Sequence, residues 1–238
     1  MSEHVEIVLD GPGKNALGTT HMEATRERLR AAGGAPVLLT GAGDAFSAGL
    51  DLKEVVGLDA PGMRRFLELL EDLVATLFAY PGPTVAAVNG HAIAGGCVLA
   101  LCCDHRIARA EPRLRIGLNE VALGVPFPPR TLAAVVYRVP PRSRDEVLLG
   151  AELHGVEAAL RLGLIDEIAA DPVARARERL TLLASHPAEA YAATKLTLRA
   201  ALVTASDVHT RHLHDTIVPA WYAPAVRARL TDALRPRR

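Results

Sequence analysis

Two short apolar runs, each emptying into a glycine-rich loop, constrain this chain more than any other feature. Pro36-Val37-Leu38-Leu39-Thr40 ends at Gly41-Ala42-Gly43, and Thr84 to Val88 ends at Asn89-Gly90, after which Gly95-Gly96 opens an apolar helix to about Cys103. Apolar runs this short and continuous have no polar face to give to water, so both read as strands buried on both sides. Strands of that kind belong to sheets covered by helices. One helix is predicted from Thr19 or Thr20, either of which can cap it, to about Ala32, stopped by Gly33-Gly34. Another is predicted from about Gly62 to Tyr80, where Phe66, Leu69, Leu70, Leu73, Leu77 and Phe78 recur at helical spacing and Pro81-Gly82-Pro83 ends the run. Val5 to Leu9 and Arg106-Ile107-Ala108 read as further short strands. The repeated order of strand, loop and helix predicts an α/β fold.

From Thr131 onward the chain reads as mostly helical, with breaks at Pro140-Pro141, Pro172 and Pro187. A shift in composition near residue 175 divides it into a core over 1–175 and a C-terminal helical region over 176–238.

Bulk properties exclude several classes of function. The 238 residues carry 27 basic and 27 acidic side chains, so no basic surplus exists to displace counterions from nucleic acid. All three cysteines lie between Cys97 and Cys103 in an apolar run, whereas a disulfide framework spreads its cysteines through the chain. A reducing, cytoplasmic location is the expectation. The opening residues, MSEHVEIVLDG, lack the basic end and apolar stretch of a secretory leader. The longest apolar stretch, residues 92–103, falls short of the ~18 residues a membrane span requires. Neither a membrane nor a nucleic acid is an expected partner.

Glycine loops after strands often cradle phosphates, but the fingerprints do not fit. Gly11-Pro12-Gly13-Lys14-Asn15 lacks the full Gly-x4-Gly-Lys-Ser/Thr pattern, and Gly41 to Gly49 does not give Gly-x-Gly-x-x-Gly. A helix start offers unpaired backbone N–H groups and partial positive charge instead. Gly95 at such a start admits a carbonyl oxygen without a Cβ in the way. A second donor from the segment Phe46 to Leu52 would complete an oxyanion hole. On the residues alone, ordinary turn glycines remain the alternative.

Cys97, Cys102, Cys103 and His105 form no Cys-x-x-Cys pair and read as buried small side chains, so no metal is expected. His209, His212 and His214, with Asp215, read as surface or interface residues, and Asp104 as an anchor for its turn.

Phe46-Ser47-Ala48-Gly49-Leu50-Asp51-Leu52-Lys53 resembles the first oxyanion loop of the crotonase (enoyl-CoA hydratase/isomerase) superfamily. Asn89 to Cys97, followed by Leu99-Ala100-Leu101 and Asp104-x-Arg106-Ile107-Ala108, resembles its second. Lys14-Asn15-Ala16-Leu17 is similar to the family's early turn, and Thr194-Lys195 with Leu198 to its C-terminal helix. The resemblance covers nearly the whole chain, although only one strand stands before Asn15 where family members have a longer hairpin. It implies a crotonase-type spiral of ββα turns with a C-terminal helical trimerisation region, assembled as a homotrimer or a dimer of trimers. It implies an acyl-CoA thioester substrate held by the N–H groups of Leu50 and Gly95, with Ala16, Ala48, Gly49, Asp51, Lys53, Val98 and Phe127 around it. Coenzyme A then arrives as part of the substrate, and no separate cofactor or metal is implied.

Hydratases of this superfamily use two glutamates. The first falls at Val98, which transfers no proton; the second falls at Glu120. On the residues alone Glu120 is either a solvated loop glutamate or, if buried among its apolar neighbours, a base with a raised pKa. Gly117-Leu118-Asn119-Glu120, with Gly124 and Pro126-Phe127, resembles the mitochondrial-type Δ3,Δ2-enoyl-CoA isomerases more than the hydratases. The expectation is therefore a 3-enoyl-CoA to 2-enoyl-CoA isomerase with Glu120 as its proton carrier. A 2-enoyl-CoA hydratase and a non-catalytic acyl-CoA-binding protein are the alternatives.

Overall fold

The computed structural model describes residues 4–235. Both apolar runs are fully buried strands, β2 (Val37–Gly41) and β4 (Thr84–Val88). With β1 (Val5–Leu9), β6 (His105–Arg109) and β9 (Glu167–Ala169) they form one parallel sheet in the order β1-β2-β4-β6-β9. Four shorter strands, β3 (Ala45–Ser47), β5 (His91–Ile93), β7 (Ile116–Gly117) and β8 (Leu153–His154), form a second sheet in that order, parallel except at β7 and β8. The chain thus passes from a strand of the first sheet to one of the second and then into a helix, as β2-β3-helix, β4-β5-helix and β6-β7-helix. This is the expected spiral of ββα turns. The single opening strand β1 closes one edge by pairing with β2, from Val5 opposite Val37 to Leu9 opposite Gly41.

Two buried asparagines pin the crossing from β2 to β3. Asn89 accepts from the Gly41 N–H at 3.0 Å and donates to the Gly41 and Gly43 carbonyls at 2.9 and 3.1 Å. Asn15 donates to the carbonyls of Ala42 and Ala45 at 2.9 and 2.8 Å. Lys14 and Asn15 reach that position through left-handed backbone, with φ of 68° and 60°; such conformations are uncommon for residues with a Cβ, asparagine being among the more tolerant.

The long helix Ala60–Phe78 starts two residues before its expected position because Asp59 caps it, accepting from the Gly62 N–H at 2.7 Å. The helix Thr19–Ala31 has Gly18, not a threonine, at its cap position. Glu54 takes over the role from another helix, accepting from the Thr19 N–H at 2.9 Å.

The expected boundary at residue 175 falls inside the helix Pro172–Ala184. Ala176 and Leu180 of that helix are buried with Leu38, Val85, Ala87 and Ile107 of the first sheet, so the helix belongs to the core. The shift toward Ala and Arg reflects its solvated face. The short strands β8 and β9 also lie in the stretch read as helical.

Beyond it, the helix Ala188–Val203 is tied to the core through Asp104. This carboxylate accepts from Lys195 Nζ at 2.8 Å, Arg199 Nη1 at 2.6 Å, Tyr191 Oη at 2.7 Å and the Thr84 N–H at 2.8 Å. Burial works to raise the Asp104 pKa, but the charges of Lys195 and Arg199 outweigh it and hold the group below its usual range. Burial also pushes Lys195 down to about 8, against the pull of Asp104. Asp104→Asn leaves two buried cations facing a neutral partner, and removing one member of such a cluster costs about 3–5 kcal/mol. The variant should lose that much stability in urea titration; a loss below about 1 kcal/mol would show that the cluster does not hold the C-terminal helix.

Candidate active site

The two glycine loops meet at one point. Leu17 and Leu50 form an isolated parallel bridge, in which the Leu17 N–H donates to Gly49 O at 2.8 Å and the Asp51 N–H to Leu17 O at 3.2 Å. The Leu50 N–H faces away from that bridge and has no protein acceptor among the described residues. Gly95 is the first residue of the helix Gly95–Cys102, so its N–H likewise has no partner within the helix.

The approach of the loops is tight. Gly49 has φ of +90°, and a Cβ placed there would lie 2.8 Å from Ile93 O and 3.3 Å from Gly95 N. Ala94, just before Gly95, is held at φ 49° and ψ −121°, a region an L-residue with a Cβ rarely adopts. Its N–H bonds to Gly117 O at 2.8 Å and its carbonyl accepts from the Val98 N–H at 2.9 Å, so surrounding bonds impose the strained turn. Arg138 steadies the other end of this helix, with Nε donating to Leu101 O at 2.8 Å.

Leu50 and Gly95 both line a cavity of about 230 Å³. Glu120, the first residue of the short helix Glu120–Leu123, lines the same cavity and is only 7% exposed. Burial, opposed only by its own backbone N–H, pushes its pKa up to about 8. Its Oε2 has no hydrogen-bond partner, and it forms no ion pair among the described residues. Among the described residues Glu120 is the only titratable side chain lining the cavity, and Val98 is also part of the wall.

Of the residues singled out in the sequence, Ala48, Leu50, Gly95, Val98, Glu120 and Phe127 line this cavity. Four do not. Asp51 caps the helix Leu52–Gly57, accepting from the Lys53 and Glu54 N–H groups, so its carboxylate is committed to structure. Lys53 is exposed on that helix, outside the cavity. Ala16 sits behind the site with its carbonyl bonded to His21 Nδ1 at 2.8 Å, and Gly49 contributes by the approach it permits. Trp221 also lines the cavity, its Nε1 donating to Pro126 O at 2.8 Å.

Sequence reasoning assigned no role to Asn119, Thr131, Leu230 or Ala233, all of which line the cavity. Leu230 and Ala233 come from the terminal helix Pro224–Ala233, which folds back over the site through long-range contacts no local pattern reveals. The three cysteines are free and buried, and among the described residues no group of three His, Cys, Asp or Glu is arranged to hold a metal ion. No helix of the described residues is long and apolar enough to cross a membrane.

The family model for enoyl-CoA hydratase/isomerase matches residues 4–220, and the chain belongs to that family. It is 34% identical to the mouse mitochondrial enoyl-CoA delta isomerase 1 over 56% of this chain and 46% of the mouse protein. The chain thus spans about half the length of that relative. A probable enoyl-CoA hydratase of Mycobacterium tuberculosis is 33% identical over 84% of this chain and 80% of its own. The crystal structure of human mitochondrial delta3-delta2-enoyl-CoA isomerase superposes with a TM-score of 0.89 at 26% identity, covering 96% of this chain and 92% of that one.

Two predictions follow from this geometry. Gly49→Ala places a methyl group against Ile93 O and Gly95 N, separating the loops. Loss of one oxyanion donor typically costs ~10²–10³ in rate, so the variant's kcat should fall at least that far while its substrate remains bound. An unchanged kcat would place the hole elsewhere. The second concerns stability: a carboxyl raised from 4.5 to about 8 favours the folded state fully below pH ~4.5, and that contribution is lost as pH rises through 8. At about 1.4 kcal/mol per unit, Glu120→Gln should become increasingly more heat-stable than the parent from pH 5 to pH 9. Parallel Tm curves would show that Glu120 titrates normally.

Proposed function

We propose that this chain is an enoyl-CoA isomerase that converts a 3-enoyl-CoA into the conjugated 2-enoyl-CoA. The observation that carries this reading is the single carboxylate: among the described residues lining the cavity Glu120 alone has one, and Val98 lies where the family resemblance places the other glutamate of a hydratase. The thioester carbonyl accepts from the Leu50 and Gly95 N–H groups, which makes the C2 proton more acidic because the enolate's charge settles on that oxygen. Ionised Glu120 removes a proton from C2, breaking C2–H and leaving the dienolate in the hole. The same carboxyl returns the proton to C4, so that C4–H forms while the double bond moves from C3–C4 to C2–C3. No water, metal or redox partner enters the balance, and coenzyme A stays attached throughout.

Burial serves both halves of this cycle. A carboxylate with no cation beside it is a stronger base than one in water, and its protonated form is comfortable in an apolar cavity. Addition of water across a 2-enoyl-CoA needs a second group to position water or deliver a proton, and the Val98 methyls supply neither. The reading extends to a homotrimer or a dimer of trimers in the cytoplasm, supported by large apolar side chains left exposed, among them Leu149, Leu182, Leu198 and Val208. A sedimenting species of 25.3 kDa would overturn that assembly.

The direct test is product analysis after incubation with 3-enoyl-CoA and, separately, with 2-enoyl-CoA. The 3-enoyl ester should isomerise, with kcat/KM rising through an apparent pKa of about 8 as Glu120 ionises. Glu120→Gln should lower the rate by ~10²–10⁴. Formation of 3-hydroxyacyl-CoA from the 2-enoyl ester without isomerisation would replace this reading with a hydratase. Binding without turnover would replace it with a non-catalytic role.

A further inference from the structure

Among the described residues, three side-chain oxygens are sealed from solvent without a hydrogen-bond partner: Asn119 Oδ1, Glu120 Oε2 and Thr131 Oγ1. All three residues line the active-site cavity. The other unpartnered polar atoms are arginine and histidine nitrogens, and none of their residues lines it. Folded proteins leave few buried polar atoms unpaired, since each costs about 1–3 kcal/mol. A concentration of partnerless oxygens in one cavity therefore marks groups whose partners arrive with a ligand.

Glu120 is accounted for by the proton shift, whereas Asn119 and Thr131 are not. Thr131 is 2% exposed and held in place at the start of the helix Pro129–Arg138, where its N–H donates to Glu71 Oε1 at 3.3 Å. Glu71 is itself buried and also accepts from the Arg130 N–H at 2.6 Å, so the helix start that carries the threonine is anchored. The remaining wall is apolar, from Leu70, Val125, Phe127, Trp221 and Leu230. A cavity meant for a plain hydrocarbon tail gains nothing from a bare hydroxyl and a bare amide oxygen. The chemistry of the pair is specific: an amide oxygen only accepts, whereas a threonine hydroxyl donates and accepts. A ligand hydroxyl satisfies both, donating to one and accepting from the other.

We infer that Asn119 and Thr131 form a polar subsite for a hydroxyl group on the acyl chain, so that the preferred substrates are hydroxylated acyl-CoA esters. The inference rests on the acyl-CoA reading of the site but not on turnover, and its test is therefore built on unreactive esters. Kd is measured for octanoyl-CoA and for its 5-, 6-, 7- and 8-hydroxy forms, using the full chain. At least one hydroxy ester should bind ten-fold or more tightly than the plain ester. Thr131→Val keeps the side-chain shape and removes the hydroxyl, and it should bring that ratio close to one. Thr131→Ser should restore it. Because Thr131→Val also removes an unpaired buried hydroxyl, the ligand-free variant should melt at or above the parent's Tm, which separates loss of the subsite from loss of the fold. Equal Kd values for the plain and all hydroxy esters, or a ratio that survives Thr131→Val, would overturn the inference and leave the two oxygens to ordered water. Failure of the isomerase reading would appear separately, as absence of turnover on 3-enoyl esters with the Kd preference intact.

Discussion

The close approach of the chain at Gly49 to the turn Ile93–Gly95 is the contact on which the rest of the site depends. Backbone N–H groups cannot be repositioned by swapping side chains, so a hole made from them is only as good as the sheets that carry its loops. Here the loops leave β3 and β5, neighbours in the second sheet, and the adjoining ends of β2 and β4 are clamped by Asn89. The bridge between Leu17 and Leu50 occupies the bonding groups on one side of the loop and leaves the Leu50 N–H for the other. Gly49 is needed because any Cβ there would occupy the space of Ile93 O.

Around that contact the protein carries several unfavourable terms at once. Ala94 is held in strained backbone, Glu120 is buried with no cation beside it, and two further oxygens lack partners. Each opposes folding by an amount on the order of 1–3 kcal/mol. They persist because the surroundings are overdetermined: the parallel sheet is buried on both faces, and Asp104 gathers Lys195, Arg199 and Tyr191 into one buried cluster on the far side of the core. Concentrating strain at the site and satisfaction elsewhere is what a preorganised active site requires.

Much of this was legible locally. The two buried strands followed from five-residue apolar runs, and the long helix followed from its period. The motif from Phe46 to Lys53 and the one from Asn89 to Cys97 marked, by family resemblance, two loops that the fold brings together at Gly49. Val98 could be placed by its short offset from Gly95, and Glu120 by the motif Gly117-Leu118-Asn119-Glu120, both through the family resemblance. Asp51, placed near the substrate by the family resemblance, has its carboxylate engaged in capping the next helix. The shift in composition near residue 175 coincides with the solvated face of the helix Pro172–Ala184, whose buried face, through Ala176 and Leu180, packs on the first sheet.

The sequence by itself determined the α/β fold class, and the family resemblance of its motifs singled out the two glycine loops and Glu120. Only the tertiary structure decided what surrounds them. The burial that raises the Glu120 pKa, the return of Leu230 and Ala233 over the cavity, and the convergence of Asn119 and Thr131 on one space arise from segments brought together across the chain. Desolvation is a property of everything packed around a group, and no window of sequence contains it.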